Sequence, residues 1–143
     1  MNSLKLTNSL TRKKEVFKPN NIKKISLYAC GPTVYDSPHV GNARTLVVFD
    51  VLFRVLKVLY NSNVTYVRNI TDVDDKIIEG AKNKNITINK LTEDTTKRFN
   101  EDCNYLKCEK PSFEPKATEN IPLMIDMITV SYTHLTLPTK RIV

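Results

Sequence analysis

A strand, a glycine-containing turn and a long helix follow one another early in the chain, and this succession constrains the fold most. Residues 25–30 have the length and composition of a buried strand. Residues 43–60 are largely apolar, and after Thr45 their polar positions, Asp50, Arg54 and Lys57, follow a helical spacing that Asn61 continues. We therefore expect a helix with one narrow polar stripe facing solvent and its other faces buried.

A second strand is predicted directly after this helix. Residues 61–63 (Asn-Ser-Asn) indicate a turn, and residues 64–70 are rich in β-branched and aromatic side chains. Strand, helix and strand form a βαβ unit, whose strands run parallel with both carboxyl ends at one edge. The turn after Cys30 and residues 69–75 should therefore face each other across the crevice where open parallel sheets bind ligands. The fold class is α/β.

The flanking segments predict short strands and helices. Residues 1–18 suggest two short strands or an extended hairpin, and Pro111 and Pro115 bracket a loop. Helical spacing or helix-initiating acids mark three further segments: residues 74–82, about 88–107 and 117–128. The last residues, 131–143, change composition abruptly and lack a helical period, so we do not expect them to be native sequence.

Composition narrows the class of protein. A chain of 143 residues fits one ordinary domain. It contains no apolar run of about 18 residues and its first 15 residues lack a hydrophobic signal segment, so we expect no membrane partner and a cytoplasmic location. Three cysteines, an odd number with no C-x-x-C pair, indicate reduced thiols. The net charge of +7 makes a polyanionic partner plausible, although basic surfaces more often serve solubility.

The turn itself predicts an anion site. A strand that feeds a glycine-containing turn and a helix brings free backbone N–H groups to one point, and ATP phosphates are the obvious ligand. The familiar glycine-rich nucleotide motifs are absent. His39 and Asn42, three residues apart, have side chains able to donate hydrogen bonds to phosphate. Capping of the helix by the same two residues is an equally good interpretation.

Cys30 and three nearby acids allow several kinds of chemistry. Cys30 fits a metal thiolate, a nucleophile or a small buried apolar residue, and the last is the commonest. No local spacing completes a zinc site with the other candidate ligands, which are Cys103, Cys108, His39 and His134. The acids fit magnesium binding, orientation of a substrate amine or, more simply, the start of a helix; they are Asp72, Asp74 and Asp75.

Several blocks of the sequence together closely resemble the cysteinyl-tRNA synthetase family of class I aminoacyl-tRNA synthetases. The resemblance covers about residues 4–128. The blocks are Tyr28-Ala-Cys-Gly-Pro-Thr-Val-Tyr-Asp36, His39-Val-Gly-Asn-Ala-Arg44, Tyr66-Val-Arg-Asn-Ile-Thr-Asp-Val-Asp-Asp-Lys76, residues 4–19 and Pro111-Ser-Phe-Glu-Pro-Lys-Ala-Thr118. Their joint occurrence at these distances is very specific, and it implies a Rossmann-type catalytic domain.

The resemblance assigns roles to individual residues. Cys30 resembles the first ligand of a catalytic Zn²⁺ that binds the substrate thiolate and so rejects serine. His39, Gly41 and Asn42 resemble the class I ATP signature, with His39 and Asn42 as its catalytic polar positions; the last position is often histidine in the family, and asparagine also occurs. The resemblance places six further residues around cysteinyl-adenylate: Gly31, Pro32, Thr33, Thr45, Asn69 and Thr71.

The same resemblance implies a reaction and its substrates. The family activates L-cysteine with ATP and Mg²⁺, releases pyrophosphate, and passes the adenylate to the terminal ribose of tRNA(Cys). The protein positions the reactants and stabilises charge rather than forming a covalent intermediate.

Parts of the family pattern are absent. The remaining zinc ligands, a Lys-Met-Ser-Lys-Ser type loop and the anticodon-binding region lie downstream in full-length members. We therefore expect a fragment, inactive alone, with one of four zinc ligands. Its expected regions are an extended segment (1–20), the first half of the catalytic domain (21–110), the start of a helical connective insertion (111–128) and a non-native tail (129–143). Two alternatives stay open: a ligase that transfers cysteine to a small amino-sugar, and a non-catalytic nucleotide-binding paralogue.

Overall fold

The computed structural model describes residues 3–60 and 63–134. The chain begins with a hairpin of two antiparallel strands, β1 (Lys5–Asn8) and β2 (Lys13–Val16), with Lys5 opposite Val16. The predicted N-terminal hairpin is therefore confirmed. It forms a two-stranded sheet of its own and does not extend the parallel sheet that follows.

The predicted βαβ unit is confirmed. Strand β3 (Lys24–Ala29) leads to helix α1 (Val40–Tyr60) and then to β4 (Asn63–Arg68), and β3 pairs with β4 in parallel. Helix α1 begins three residues earlier than the apolar pattern predicts, because a cap at its start brings Val40 and Gly41 into the helix. Residues 61 and 62 of the predicted turn, including the predicted stripe residue Asn61, lie outside the described residues.

The polar stripe of α1 faces solvent only in part, which corrects the prediction: Asp50 is buried, whereas Arg54 and Lys57 are exposed. Asp50 is only 9% exposed, and its carboxylate accepts hydrogen bonds from the Glu109 backbone N–H and from Arg54 Nε, both at 2.7 Å. Arg54 and Lys57 form ion pairs with Glu109 at 3.2 and 2.7 Å. The stripe thus packs on the chain that follows the third helix. Several apolar residues of α1 are exposed as well, contrary to the prediction that its other faces are buried: Val47, Val48, Val51, Val58 and Leu59.

The segment bracketed by Pro111 and Pro115 is not a simple loop. Ser112 and Ala117 donate backbone hydrogen bonds to β4 and its extension, and the Pro115 carbonyl accepts one from Ile70 at 2.9 Å. Parallel bridges join this segment to the same edge. Proline is tolerated there because an edge strand does not need every N–H group.

Three α-helices and a short 3₁₀ turn complete the described part. Helix α2 (Asp75–Asn83) and helix α3 (Ile88–Tyr105) match the predicted segments within a few residues. A 3₁₀ turn (Thr118–Asn120) leads into α4 (Ile121–His134), which continues beyond the predicted end at residue 128. The predicted tail from 135 onward lies outside the described residues. No helix among the described residues is long and apolar enough to cross a membrane.

Three small groups of buried residues hold the elements together. One joins the strand ends to α2 and α3 and contains Val34, Ile70, Ile77, Ala81 and Leu91. The second packs α1 on the parallel strands and contains Ala29, Phe53 and Tyr66. The third packs α1 on α3 and contains Leu46, Phe99 and Cys103, with Cys108 against it. The second and third groups fix α1, and with it the turn that precedes it.

Candidate functional site

The turn after β3 lies directly against the chain that leaves β4, as the parallel arrangement predicts. Gly31 donates its N–H to Asn69 Oδ1 at 3.0 Å, Thr71 donates to the Pro32 carbonyl at 3.0 Å, and Val34 donates to the Thr71 carbonyl at 3.1 Å. The Asn69 amide also donates to Thr71 Oγ1 at 3.1 Å. These bonds make the two strand ends one rigid floor.

His39 and Asn42 cap helix α1. His39 Nδ1 accepts the Gly41 N–H at 3.0 Å, and Asn42 Oδ1 accepts the His39 N–H at 3.0 Å. This reciprocal arrangement satisfies two backbone donors at the helix start and fixes both side chains. The capping interpretation is therefore correct. Within the described residues, His39 Nε2 and Asn42 Nδ2 make no hydrogen bond, so one donor-capable atom of each side chain stays available.

Two adjoining cavities open beside this cap. One has a volume of about 250 Å³ and is lined by residues 31–39 together with Asn42, Thr95 and Phe99. The other has a volume of about 200 Å³ and contains the exposed thiol of Cys30. Its remaining lining residues are Gly31, Pro32, Asn42, Thr45, Leu46 and Phe99. The two cavities therefore share part of their walls, and together they are the candidate site.

The structure brings together most of the residues that the sequence assigns to the site. The lining residues include Cys30, Gly31, Pro32, Thr33, His39, Asn42 and Thr45. Asn69 and Thr71 instead support the floor through their hydrogen bonds, and Gly41 lies in the capped first turn of α1. A larger cavity of about 410 Å³ lies between α3 and the residues Asp72 and Lys116, and Asp72 is its one lining residue that the sequence singled out.

Sequence reasoning missed the contribution of α3 to the site. Phe99 is only 1% exposed and forms part of the wall of both cavities. Thr95, one turn earlier, lines the first of them. Their spacing in α3 predicts a buried helix face. That pattern indicates burial alone, because it does not say which other element the face covers.

The loop that precedes the cap is held by charged side chains of α2 and α3. Arg98 donates to Ser37 Oγ at 3.2 Å, and Lys76 Nζ lies 5.4 Å from the centroid of the Tyr35 ring. The backbone N–H of Ser37, and then the charge of Lys84, lower the pKa of Asp36. The carboxylate of Asp36 is therefore ionised at neutral pH and keeps this exposed loop tied to basic neighbours.

The acids after β4 have structural partners. Asp74 caps α2 by accepting the Lys76 N–H at 2.9 Å, and Asp75 lies in the first turn. Asp72 accepts hydrogen bonds from the N–H and hydroxyl of Thr118 at 2.9 and 2.5 Å. The helix-start interpretation is correct for Asp74 and Asp75, whereas Asp72 ties β4 to the 3₁₀ turn. Nothing in these contacts favours the magnesium interpretation.

The three cysteines differ in their exposure to solvent. Cys30 is exposed, so the interpretation of this thiol as a buried apolar residue is wrong, whereas Cys103 is buried and Cys108 is partly buried. Among residues 3–60 and 63–134, no three His, Cys, Asp or Glu side chains are grouped as metal ligands. The side chain of His134 lies outside the described part.

Comparison with known proteins identifies the family. A family model described as the catalytic domain of class I (C) tRNA synthetases matches residues 16–133. The cysteine–tRNA ligase of Pelagibacter ubique is 59% identical over 125 residues, covering 87% of this chain and 28% of the relative. The cysteine–tRNA ligase of Orientia tsutsugamushi is 59% identical over 128 residues, covering 89% of this chain and 27% of the relative.

A third relative, the cysteine–tRNA ligase of Ehrlichia ruminantium, is 52% identical over 129 residues. The chain spans little more than a quarter of the length of these relatives. The α/β fold with its parallel strands and the extent of the match agree with the resemblance carried by the sequence blocks. The chain therefore belongs to the family of class I (C) tRNA synthetase catalytic domains.

Proposed function

We propose that this chain is part of a cysteine–tRNA ligase and supplies one side of its site for ATP and cysteine. The observation that carries the proposal is the shared wall between the two cavities. Cys30 lines one cavity, His39 lines the other, and Asn42 lines both. A thiol-recognising group next to a phosphate-binding helix start is the arrangement that activation of cysteine by ATP requires.

The proposed reaction joins two bound substrates. A carboxylate oxygen of L-cysteine attacks the α-phosphorus of ATP, a phosphorus–oxygen bond forms, and pyrophosphate leaves with the electron pair of the broken bond. The adenylate then transfers its acyl group to the terminal ribose of tRNA(Cys). This chemistry depends on positioning and on stabilisation of charge, because no covalent enzyme intermediate is needed.

The capped helix start is suited to the first step. The caps hold His39 and Asn42 with His39 Nε2 and Asn42 Nδ2 available, beside the positive end of α1. Donors that are fixed before the substrate binds need no reorganisation during the reaction. We assign the ATP phosphates to His39, Gly41 and Asn42. The cysteinyl-adenylate pocket is assigned to Gly31, Pro32, Thr33, Thr45, Asn69 and Thr71.

Zinc and magnesium enter the proposal in different ways. Cys30 offers an exposed soft ligand of the kind zinc prefers, but the described residues do not supply a complete set of ligands. They therefore do not hold Zn²⁺ alone, and Cys30 is proposed as one ligand among several. Bound zinc would favour a thiolate over a hydroxyl. We assign no Mg²⁺ ligand to this chain, and Mg²⁺ is proposed only as the partner of ATP.

The regions of the chain follow from the same proposal. Residues 21–110 are assigned to the first half of the catalytic domain, preceded by the hairpin segment of residues 1–20. Residues 111–128 begin the connective insertion, and residues 129–143 are a non-native tail. An enzyme that charges tRNA for protein synthesis works in the cytoplasm, and this is the proposed location.

Cysteine-dependent exchange of pyrophosphate into ATP tests the proposal. Residues 1–128 replace the matching segment of the Pelagibacter ubique ligase, so that the rest of a site is supplied by a relative. We expect exchange by this chimera and none by the chain alone. A folded chimera that binds neither ATP nor cysteine contradicts the proposal, and exchange by the chain alone contradicts its fragment character.

A further inference from the structure

The end of helix α3 brings two cysteines together. Lys107 has a positive φ of 56°, its N–H donates to the Asn104 carbonyl at 3.0 Å, and the Cys108 N–H donates to the Cys103 carbonyl at 3.0 Å. This pair of hydrogen bonds defines a Schellman cap, in which the residue after the left-handed position contacts the residue five positions earlier. In this chain both of those positions are cysteine.

The cap geometry suits a disulfide. A hydrogen bond of 3.0 Å between Cys108 N and Cys103 O limits the separation of the two α-carbons to at most about 7 Å, and bent bonds bring them closer. Cys108 packs against the buried group that contains Cys103, so both side chains lie on the same side of the cap. Both cysteines are free thiols in this structure.

We propose that Cys103 and Cys108 are an oxidative modification site that forms an intramolecular disulfide across the C-terminal cap of α3. With hydrogen peroxide as oxidant, the partly buried Cys108 is oxidised first to the sulfenic acid, and one water forms. The Cys103 sulfur then attacks the Cys108 sulfur and releases the second water. The two thiols lose two electrons and two protons in total, which reduce one peroxide to two waters.

Disulfide formation between Cys103 and Cys108 is favoured by their proximity rather than by the acidity of their thiols. Burial raises the pKa of both thiols, and the neighbouring Arg68 only partly opposes that effect. Neither cysteine is therefore an activated nucleophile. The cap compensates by holding the two sulfurs as neighbours, because a reaction between fixed partners needs no encounter. Cys30 is more exposed and lines the candidate site, whose wall includes Leu46 and Phe99 of the same buried group, but it takes no part in the α3 cap.

The disulfide would rigidify the segment that joins the end of α3 to α1. The Lys107 carbonyl accepts a hydrogen bond from Arg54 at 2.9 Å, and the Glu109 N–H donates to Asp50. Phe99, one turn before Cys103, lines both cavities of the candidate site. Oxidation therefore fixes the end of the helix that forms one wall of that site. The proposal depends only on the cap and does not rest on the proposed function.

Peptide mapping of the oxidised chain tests the proposal. The full 143-residue chain is treated with hydrogen peroxide, remaining thiols are blocked, and the protein is digested with trypsin. Cleavage after Lys107 separates the two cysteines, so the disulfide appears as peptides 99–107 and 108–116 joined together. We expect this linked pair with Cys30 still a free thiol. Linkage through Cys30, or oxygenated thiols without a link, overturns the proposal.

Matched variants and a denatured control make the result specific. Cys103→Ser and Cys108→Ser should each abolish the linked pair, whereas Cys30→Ser should leave it unchanged. The same oxidation in guanidinium chloride should lower the yield of the Cys103–Cys108 link relative to links with Cys30, because the cap is lost. Equal selectivity in the folded and denatured chain would show that sequence proximity alone pairs the cysteines, and it would overturn the structural claim.

Discussion

Gly31 touches the backbone of Asn69. Its N–H donates to Asn69 Oδ1 at 3.0 Å, and a Cβ added to Gly31 would lie 1.5 Å from the Asn69 carbonyl oxygen. The requirement for glycine is steric, because no described glycine has a positive φ. This contact sets how closely the two strand ends approach, and it therefore sets the floor of the candidate site.

Gly31→Ala should destabilise the fold by about 3 kcal/mol or more, because the backbone must move to admit the methyl group. Gly80→Ala is the matched control: its nearest neighbour would be a Leu91 methyl at 3.3 Å, and alanine favours a helix interior. We expect that change to stay within about 1 kcal/mol. Chemical denaturation of both variants measures the difference, and equal losses would contradict the close approach.

Asp50→Ala should cost about 2–3 kcal/mol, because it leaves the partly buried Glu109 N–H without its acceptor and removes the 2.7 Å ion pair of Arg54 Nε. Asp94→Ala removes an exposed pair of the same helical spacing, with Lys90, and should cost about 0.5 kcal/mol or less. Denaturation midpoints distinguish the two. If both changes are equally mild, the polar stripe of α1 does not anchor the chain after α3.

Glu114→Ala should destabilise the chain by about 3 kcal/mol. The Arg68 side chain is buried, its Nη2 lies 2.6 Å from Glu114 Oε1, and its guanidinium lies 4.8 Å from the centre of the Phe99 ring. Removal of Glu114 leaves that buried charge unpaired. Glu119→Ala breaks an exposed pair with Lys116 and should be nearly neutral. Thermal unfolding of both variants tests this, and a neutral Glu114→Ala would contradict it.

Alkaline pH should destabilise the fold through the two cysteines of the α3 cap. Burial raises the pKa of Cys103 and Cys108 above the ordinary value of 9.0, so unfolded thiols ionise at lower pH than folded ones. The stability that the two neutral thiols contribute is therefore fully present below about pH 9, and it is lost as the pH rises through their folded-state pKa values. Unfolding of the reduced chain between pH 8 and 10 measures the slope, which should be shallower in Cys103→Ser. An unchanged slope would contradict the assignment.

The sequence predicts the elements that local patterns define. Length and composition mark the first parallel strand, β-branched and aromatic residues mark the second, and Asp74 and Asp75 mark the start of α2. The parallel rule then predicts that the turn after Cys30 faces residues 69–75, and the contact of Gly31 with Asn69 lies within that region. The location of the candidate site follows from these local signals together with one topological rule, whereas its individual lining residues are predicted from the family resemblance.

Contacts between distant segments could not be predicted in the same way. The spacing of Asp50 and Arg54 identifies one face of α1 but does not say whether water or a loop covers it. Here the loop carrying Glu109, 59 residues later, buries Asp50 and forms ion pairs with the exposed Arg54 and Lys57. The prolines at 111 and 115 likewise argue against a strand, although a proline carbonyl still accepts a hydrogen bond at a sheet edge.

The most direct test of the account compares two cysteine variants in the chimera with the Pelagibacter ubique ligase. Cys30→Ser removes the thiol in the candidate site, and Cys103→Ser removes a buried thiol of similar size at the end of α3. The measurement is cysteine-dependent exchange of pyrophosphate into ATP. We predict that Cys30→Ser lowers the rate by about 100-fold or more, as expected for loss of a metal ligand, while Cys103→Ser keeps most of it. Full exchange by Cys30→Ser would contradict the assignment of Cys30 to cysteine recognition.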